Sequence, residues 1–261
     1  MKVKEIIALL EQEGTWVNWD QTRDHLLHGN EENEVTRVGV CWMLTRQALQ
    51  EAINQNIDFI ISHENPFYMA STRPVTLAYE AAEEKRRILS EHGISVYRCH
   101  DVWDCIKDVG VSDMWAKRLG YDFEERKITS YFHFTNIEET TAEELSMHVA
   151  EALVQDGQNG VWLYGRPDKK IHRLAIGTGA ATNVWAMLKE NPDAVVVSED
   201  GVSTFSEGEY LIDHDISMIL VSHAACEMAG LKELAVWLNE KIEAECIYLD
   251  SAYQVHSYTK N

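Results

Sequence analysis

The chain has 261 residues, 45% of them hydrophobic and 25% charged, which fits one or two globular domains and excludes a disordered chain or a small stapled scaffold. Lys and Arg number 23 against 43 Asp and Glu, a formal net charge of −20. A surface of that sign repels phosphate backbones and anionic lipid headgroups, so neither a nucleic-acid polymer nor a membrane is an expected partner. A small anionic molecule remains an expected partner if bound metal ions supply local positive charge.

Residues 3–10 space their apolar side chains as an amphipathic helix does, and the polar stretch 20–34 reads as a loop. Short apolar runs then alternate with helical ones. Strands are predicted over 36–44, 58–62 and 94–98. Helices are predicted over 46–56, over 77–92 up to Gly93, and over 111–119 closed by Gly120. Residues 127–169 change character. An alternating strand over 129–134 precedes a helix over 141–153 with a Thr141–Glu144 capping box, and Gly157, Gly160 and Gly165 punctuate a hairpin-like stretch. The α/β rhythm resumes after Arg173, with strands over 174–176, 194–198 and 216–221 and helices over 181–189 and 223–242. This alternation predicts an α/β fold with a partly parallel sheet. The core is expected from 1–126 together with 170–261, with 127–169 as a small α+β insertion.

The cysteines Cys41, Cys99, Cys105, Cys226 and Cys246 are odd in number and form no C-x-x-C pair. With no secretory leader in view, they read as unpaired thiols of a cytoplasmic protein. No apolar run approaches the ~20 residues that span a bilayer.

Three places share one design, a short buried strand followed at once by side chains that bind metals. They are Ser62-His63-Glu64-Asn65-Pro66, Cys99-His100-Asp101-Val102-Trp103-Asp104 and Ser222-His223-Ala224-Ala225-Cys226-Glu227. In open α/β sheets ligands bind beyond the carboxyl ends of the strands, so sets at three such ends can converge. His223 and Glu227, four apart at a helix start, point from one face at the same spot. An imidazole with a carboxylate suits Zn, Mn, Fe or Co. Taken singly, each set has a plainer reading: a solvated helix face, a surface turn, or a turn whose Trp103 plugs the core. Gly177-Thr178-Gly179 follows a strand and opens a helix, as a tight βα turn or a backbone cradle for phosphate.

The ordered set, with Trp19-Asp20 upstream and Ser198-Glu199-Asp200 after a strand, resembles the Nif-three-like dinuclear-metal family, the GTP cyclohydrolase 1 type 2 homologues. The resemblance covers roughly residues 3–120 and 173–245. It implies two interlocked α/β lobes and two divalent metal ions per chain. By position, His63 and His223 would bind one ion, Glu64 and Asp104 the other, and Glu227 would bridge both. His100 would stand beside the ligands as the catalytic proton carrier. The resemblance also implies a ring-shaped homohexamer. Several positions depart from the family pattern. Glu64 stands where the family has a second His, Asn65 is inserted before the proline, and Ser222 replaces a Gly. Two imidazoles and three carboxylates make a harder, more anionic ligand set, which moves the preference toward Mn, Fe or Mg and away from Zn.

The expected function is metal-dependent hydrolysis of a small nucleotide-like or heterocyclic phosphate substrate, with GTP ring opening as the named possibility. The ions would activate a water between them, and the His100 imidazole would carry the proton near neutral pH. A ring-forming metal-binding or regulatory protein without turnover is the alternative.

Overall fold

The computed structural model describes residues 1–68 and 75–258. In chain order the elements are α1 (Val3–Glu13), β1 (His25–His28), β2 (Arg37–Cys41), α2 (Arg46–Asn54), β3 (Phe59–Ser62), α3 (Thr76–Glu91), β4 (Ser95–Arg98), α4 (Asp101–Cys105) and α5 (Val111–Leu119). They continue as β5 (Phe132–Thr141), α6 (Ala142–Leu153), β6 (Trp162–Tyr164), β7 (Lys170–Gly177), α7 (Val184–Met187), β8 (Ala194–Ser198), α8 (Glu207–Asp213), β9 (Ser217–Val221), α9 (His223–Lys241) and β10 (Glu245–Tyr248). Residues 1–110 with 231–252 form one compact unit, and 111–230 with 253–261 the other. No helix among the described residues is long and apolar enough to cross a membrane.

The first unit is built on a sheet of order β1-β4-β3-β2-β10, with β1 antiparallel to β4 and the other pairs parallel. All four residues of β3 are buried, as expected of a parallel strand covered on both faces, whose sequence is a continuous apolar run. Leu44, Leu49, Ile60, Phe67, Leu89, Val96 and Leu249 share one core. Trp103 of α4 is fully buried and meets Trp237 of α9 edge to face, ring centres 5.5 Å apart.

The second unit has the order β5-β7-β8-β9-β6, parallel in its three central strands and antiparallel at both edges. The segment 127–169, expected as an insertion, supplies both edge strands and α6. Leu145, Val149 and Leu153 of α6 pack with Leu174, Ile176, Val196 and Ile219 in one core. The chain passes between the two units after 110, after 230 and after 252. The expected capping box is present: Thr141 Oγ1 accepts from Glu144 N, and the Glu144 carboxylate accepts from Thr141 N.

Several elements differ from expectation for local reasons. The stretch expected as a loop holds β1, a four-residue edge strand made by pairing with β4. Likewise β10 exists by parallel pairing with β2. Neither carries a periodicity of its own, and pairing partners, not propensity, make them strands. The helix expected from 181 begins at Val184, because the Asn183 side chain accepts from Ala186 N and caps it there.

Gly230 lies on α9 where a Cβ would sit 2.6 Å from Val111 Cα and 2.9 Å from Val111 N. In an open helix, Gly to Ala stabilises by about 1 kcal/mol. Here the new methyl meets backbone that cannot rotate away, so the sign reverses. Gly230→Ala should lower stability by about 1–3 kcal/mol, read as an earlier urea unfolding midpoint; a later midpoint would contradict the packing described.

Candidate metal centre

In the first unit, β3 and β4 run parallel with Ser62 opposite Arg98. The residues that leave the two strand ends therefore emerge side by side. The His63 and His100 rings stack with centres 4.4 Å apart and planes 5° from parallel. His63 Nδ1 lies 3.0 Å from the Cys99 carbonyl oxygen; a carbonyl only accepts, so Nδ1 carries a proton and Nε2 is the ring nitrogen left to face other groups. Asp104 Oδ1 is 3.3 Å from that Nε2, and Asp104 Oδ2 is 2.9 Å from His100 Nδ1. His63, His100 and Asp104 each offer a ligand atom, and these atoms lie within 4.8 Å of one another.

Glu64 borders this group. Its Oε1 is 3.7 Å from His100 Nε2, and its Oε2 accepts from Arg98 Nη2 at 2.8 Å. Burial alone would raise both acids. Instead, His100, His63 and Arg98 hold the Glu64 carboxyl well below the usual carboxylate range, and the two imidazoles do the same for Asp104. Burial disfavours the His100 cation, but Asp104, Asp101 and Glu64 raise its pKa well above the ordinary histidine value.

The start of α4 is held by a buried carboxylate. Asp24 Oδ1 accepts from His100 N at 2.6 Å and Asp101 N at 2.8 Å, and Oδ2 accepts from Val102 N at 2.9 Å. This caps three main-chain donors and places negative charge at the positive end of a helix. Asp101 turns outward to Thr22 Oγ1 and the Arg23 main chain. The loop after Glu64 is tied from the other side. Buried Lys85 of α3 donates to the carbonyls of Leu44 at 2.7 Å and Pro66 at 2.6 Å, and lies 4.5 Å from the centre of the Tyr68 ring.

The second unit repeats the construction with different anchors. β8 and β9 run parallel with Ser198 opposite Val221, so Glu199 and Asp200 leave beside Ser222 and His223. Glu199 Oε2 accepts from His223 N at 2.7 Å, and Asp200 Oδ2 lies 2.6 Å from His223 Nδ1. The other ring nitrogen, Nε2, is 3.0 Å from Glu227 Oε2. Burial would lower the His223 pKa, but Glu227 and Asp200 raise it to about 11. Gly179, at φ +56°, walls this pair. A Cβ there would strike Glu227 Oε1 and lie 2.7 Å from His223 Nε2. The Gly177-Thr178-Gly179 turn is thus a tight βα turn that leaves room beside two donor atoms.

These donors fit a divalent ion. In each unit an imidazole is fixed through Nδ1, to a carbonyl or to a carboxylate, and turns Nε2 toward a buried carboxylate oxygen. That is the way proteins orient histidines that ligate metals. Of the residues singled out from sequence, the structure gathers His63, Glu64, His100 and Asp104 in the first unit and His223 and Glu227 in the second. Asp24, Lys85, Arg98 and Asp200 were not assigned roles from sequence. Asp24 falls in the stretch read as a loop, and only the fold brings it to α4.

Two α/β units, each with a His/carboxylate set beyond the ends of adjacent parallel strands, define a class of chain whose candidate metal-binding side chains are gathered by sheet topology. The chain belongs to the DUF34/NIF3 (NGG1p interacting factor 3) family, whose model it matches over residues 1–253, as the ordered motifs implied. It is 19% identical over 259 residues to a GTP cyclohydrolase 1 type 2 homolog from Clostridium perfringens, covering 96% of each chain. A Neisseria meningitidis protein of the same name is 25% identical over 218 residues, covering 79% of this chain and 80% of that one. The solved structure of protein ybgI, of unknown function, has the same fold. It superposes with a TM-score of 0.81 at 19% identity, covering 98% of this chain and 100% of that one.

Two outcomes follow from the supports of the first set. Asp24→Ala leaves three main-chain donors without their acceptor and should cost about 1–3 kcal/mol, measured by urea unfolding at neutral pH. Lys85 gives a pH signature, since burial pushes its pKa from 10.5 down to about 8. Between these values the unfolded chain holds a proton that the folded one has lost, so this group makes stability rise with pH across that window. Unfolding midpoints of wild type and Lys85→Met, compared at pH 7.5 and pH 10, should shift in favour of wild type at the higher pH; parallel midpoints would refute the assignment.

Proposed function

We propose that this protein is a divalent-metal-dependent hydrolase of a small anionic substrate, nucleotide-like or heterocyclic and phosphate-bearing. In this reading His63, Glu64 and Asp104 of the first unit and His223 and Glu227 of the second serve as metal ligands. The observation that carries it is the matched posture of the two imidazoles. His63 Nδ1 is committed to the Cys99 carbonyl and His223 Nδ1 to Asp200, so each Nε2 faces a carboxylate. A structural histidine has no need of that arrangement twice, each time at the end of a parallel strand. The name of the curated relatives supports a purine nucleotide as the first substrate to try.

Divalent ions at such a centre supply Lewis acidity and bring the pKa of a bound water toward neutrality. The chain's own residues do the rest. Asp200 and the Cys99 carbonyl fix the imidazole tautomers. Asp24 fixes the turn that carries His100 and Asp104. His100 holds a proton on Nδ1 between Asp101 and Asp104 and turns Nε2 toward Glu64 Oε1 at 3.7 Å, the position from which it would carry a proton. The net charge of −20 disfavours polymeric substrates, and a small anion would be drawn by the metals rather than by the surface.

A metal-binding protein without turnover is the second reading, and the Arg98–Glu64 ion pair favours it, because one expected ligand already has a cation. The two are separated by elemental analysis of protein purified without chelator, followed by a panel of nucleotides, pterin precursors and phosphoesters. The hydrolase reading expects about two equivalents of transition metal per chain, loss of metal in His63→Ala and Glu227→Ala, and turnover of at least one compound by wild type only. Bound metal with no compound consumed would leave the second reading; protein without metal would end both.

A further inference from the structure

Arg98 is the last residue of β4, opposite Ser62 at the end of β3, one and two positions before His63 and Glu64. Its guanidinium does two things at once. Nε donates to the His63 carbonyl oxygen at 3.1 Å, and Nη2 donates to Glu64 Oε2 at 2.8 Å. Both side chains are largely shielded, with 14% of Arg98 and 17% of Glu64 accessible. The fork therefore grips the main chain of one expected ligand and the carboxylate of another, and it cannot swing into water without leaving the His63 carbonyl.

We propose that Arg98 is a resident cation that competes with metal for Glu64, so that the two ions of the centre bind with unequal affinity. This rests on the metal-centre reading above. Glu64 has two oxygens. One is committed to Arg98, and the other faces His100 Nε2 at 3.7 Å. A metal that uses Glu64 meets a carboxylate already neutralised by a unit positive charge held at contact distance. It must either share the carboxylate with that charge, in a shielded place where like charges repel strongly, or displace a charge-assisted hydrogen bond of the stronger kind. Either route weakens the ion at Glu64 and leaves an ion held only by the other donors unaffected. A histidine at position 64, as the family pattern has, would carry no negative charge for Arg98 to claim. The carboxylate at position 64 and the guanidinium thus act together.

The test is titration calorimetry of chelator-stripped full-length protein with Mn²⁺, and separately with Zn²⁺, at fixed pH. Wild type should show one tight equivalent and a second at least about ten-fold weaker, a ratio set by one charge-assisted bond. Arg98→Gln should tighten the weaker equivalent by about ten-fold and leave the tighter one unchanged. Arg98→Lys, which keeps the charge, should retain the inequality. Glu64→Gln should lose the weaker equivalent alone. Urea unfolding of each variant identifies any that fails to fold, and the Arg98→Lys comparison still separates charge from structure in that event. Two equal equivalents in wild type, or a weaker equivalent that Arg98→Gln leaves unmoved, would overturn the role of Arg98 while the metal centre stands. No binding of either metal by any of these proteins would overturn the metal-centre reading and this inference with it.

Discussion

The site depends on the register of two parallel strand pairs. In the first unit Ser62 lies opposite Arg98, and Cys99 N donates to the Ser62 carbonyl at 3.1 Å. His63 and His100 therefore leave the sheet as neighbours, and their rings stack. In the second unit Ser198 lies opposite Val221, which sets Asp200 beside His223. A one-residue slip in either pair would shift the residues that follow one strand against those that follow the other and part these neighbours. Register in turn is held by burial, since every residue of β3, β8 and β9 is buried. The apolar runs that make these strands central also aim the polar residues that follow them.

Within that frame each unit solves the same electrostatic problem differently. A buried carboxylate is costly without a partner. In the second unit the His223 imidazole lies between Asp200 and Glu227. The first unit uses two imidazoles and a guanidinium against Glu64, Asp101 and Asp104. It carries more charge of both signs, tied together by main-chain contacts. Asp24 adds a further carboxylate, and three backbone donors offset its desolvation.

Much of this was legible in the amino-acid order. Phe59-Ile60-Ile61-Ser62 and Ala194-Val195-Val196-Val197-Ser198 are apolar runs of strand length bounded by polar residues, and both are central strands. The spacing of His223 and Glu227 places both on one face of α9, as the structure has it. What was not legible depends on contacts distant along the chain. Asp24 meets α4 across about eighty positions, and β10 is a strand only because β2 lies next to it. The helix over 101–105 is one short turn and a half, too brief for periodicity to register, and it depends on the Asp24 cap. Arg98 reads as the polar end of a strand until the register sets it against Glu64.

The turn at Gly179 carries an implication for the wider family. The space beside Glu227 and His223 exists because position 179 has a left-handed backbone and no side chain. Any other residue there would crowd Glu227 Oε1 and His223 Nε2, even with every histidine and carboxylate retained. Homologous chains can thus be sorted at that one position. With glycine the space beside His223 and Glu227 stays clear, and with a bulkier residue it is filled.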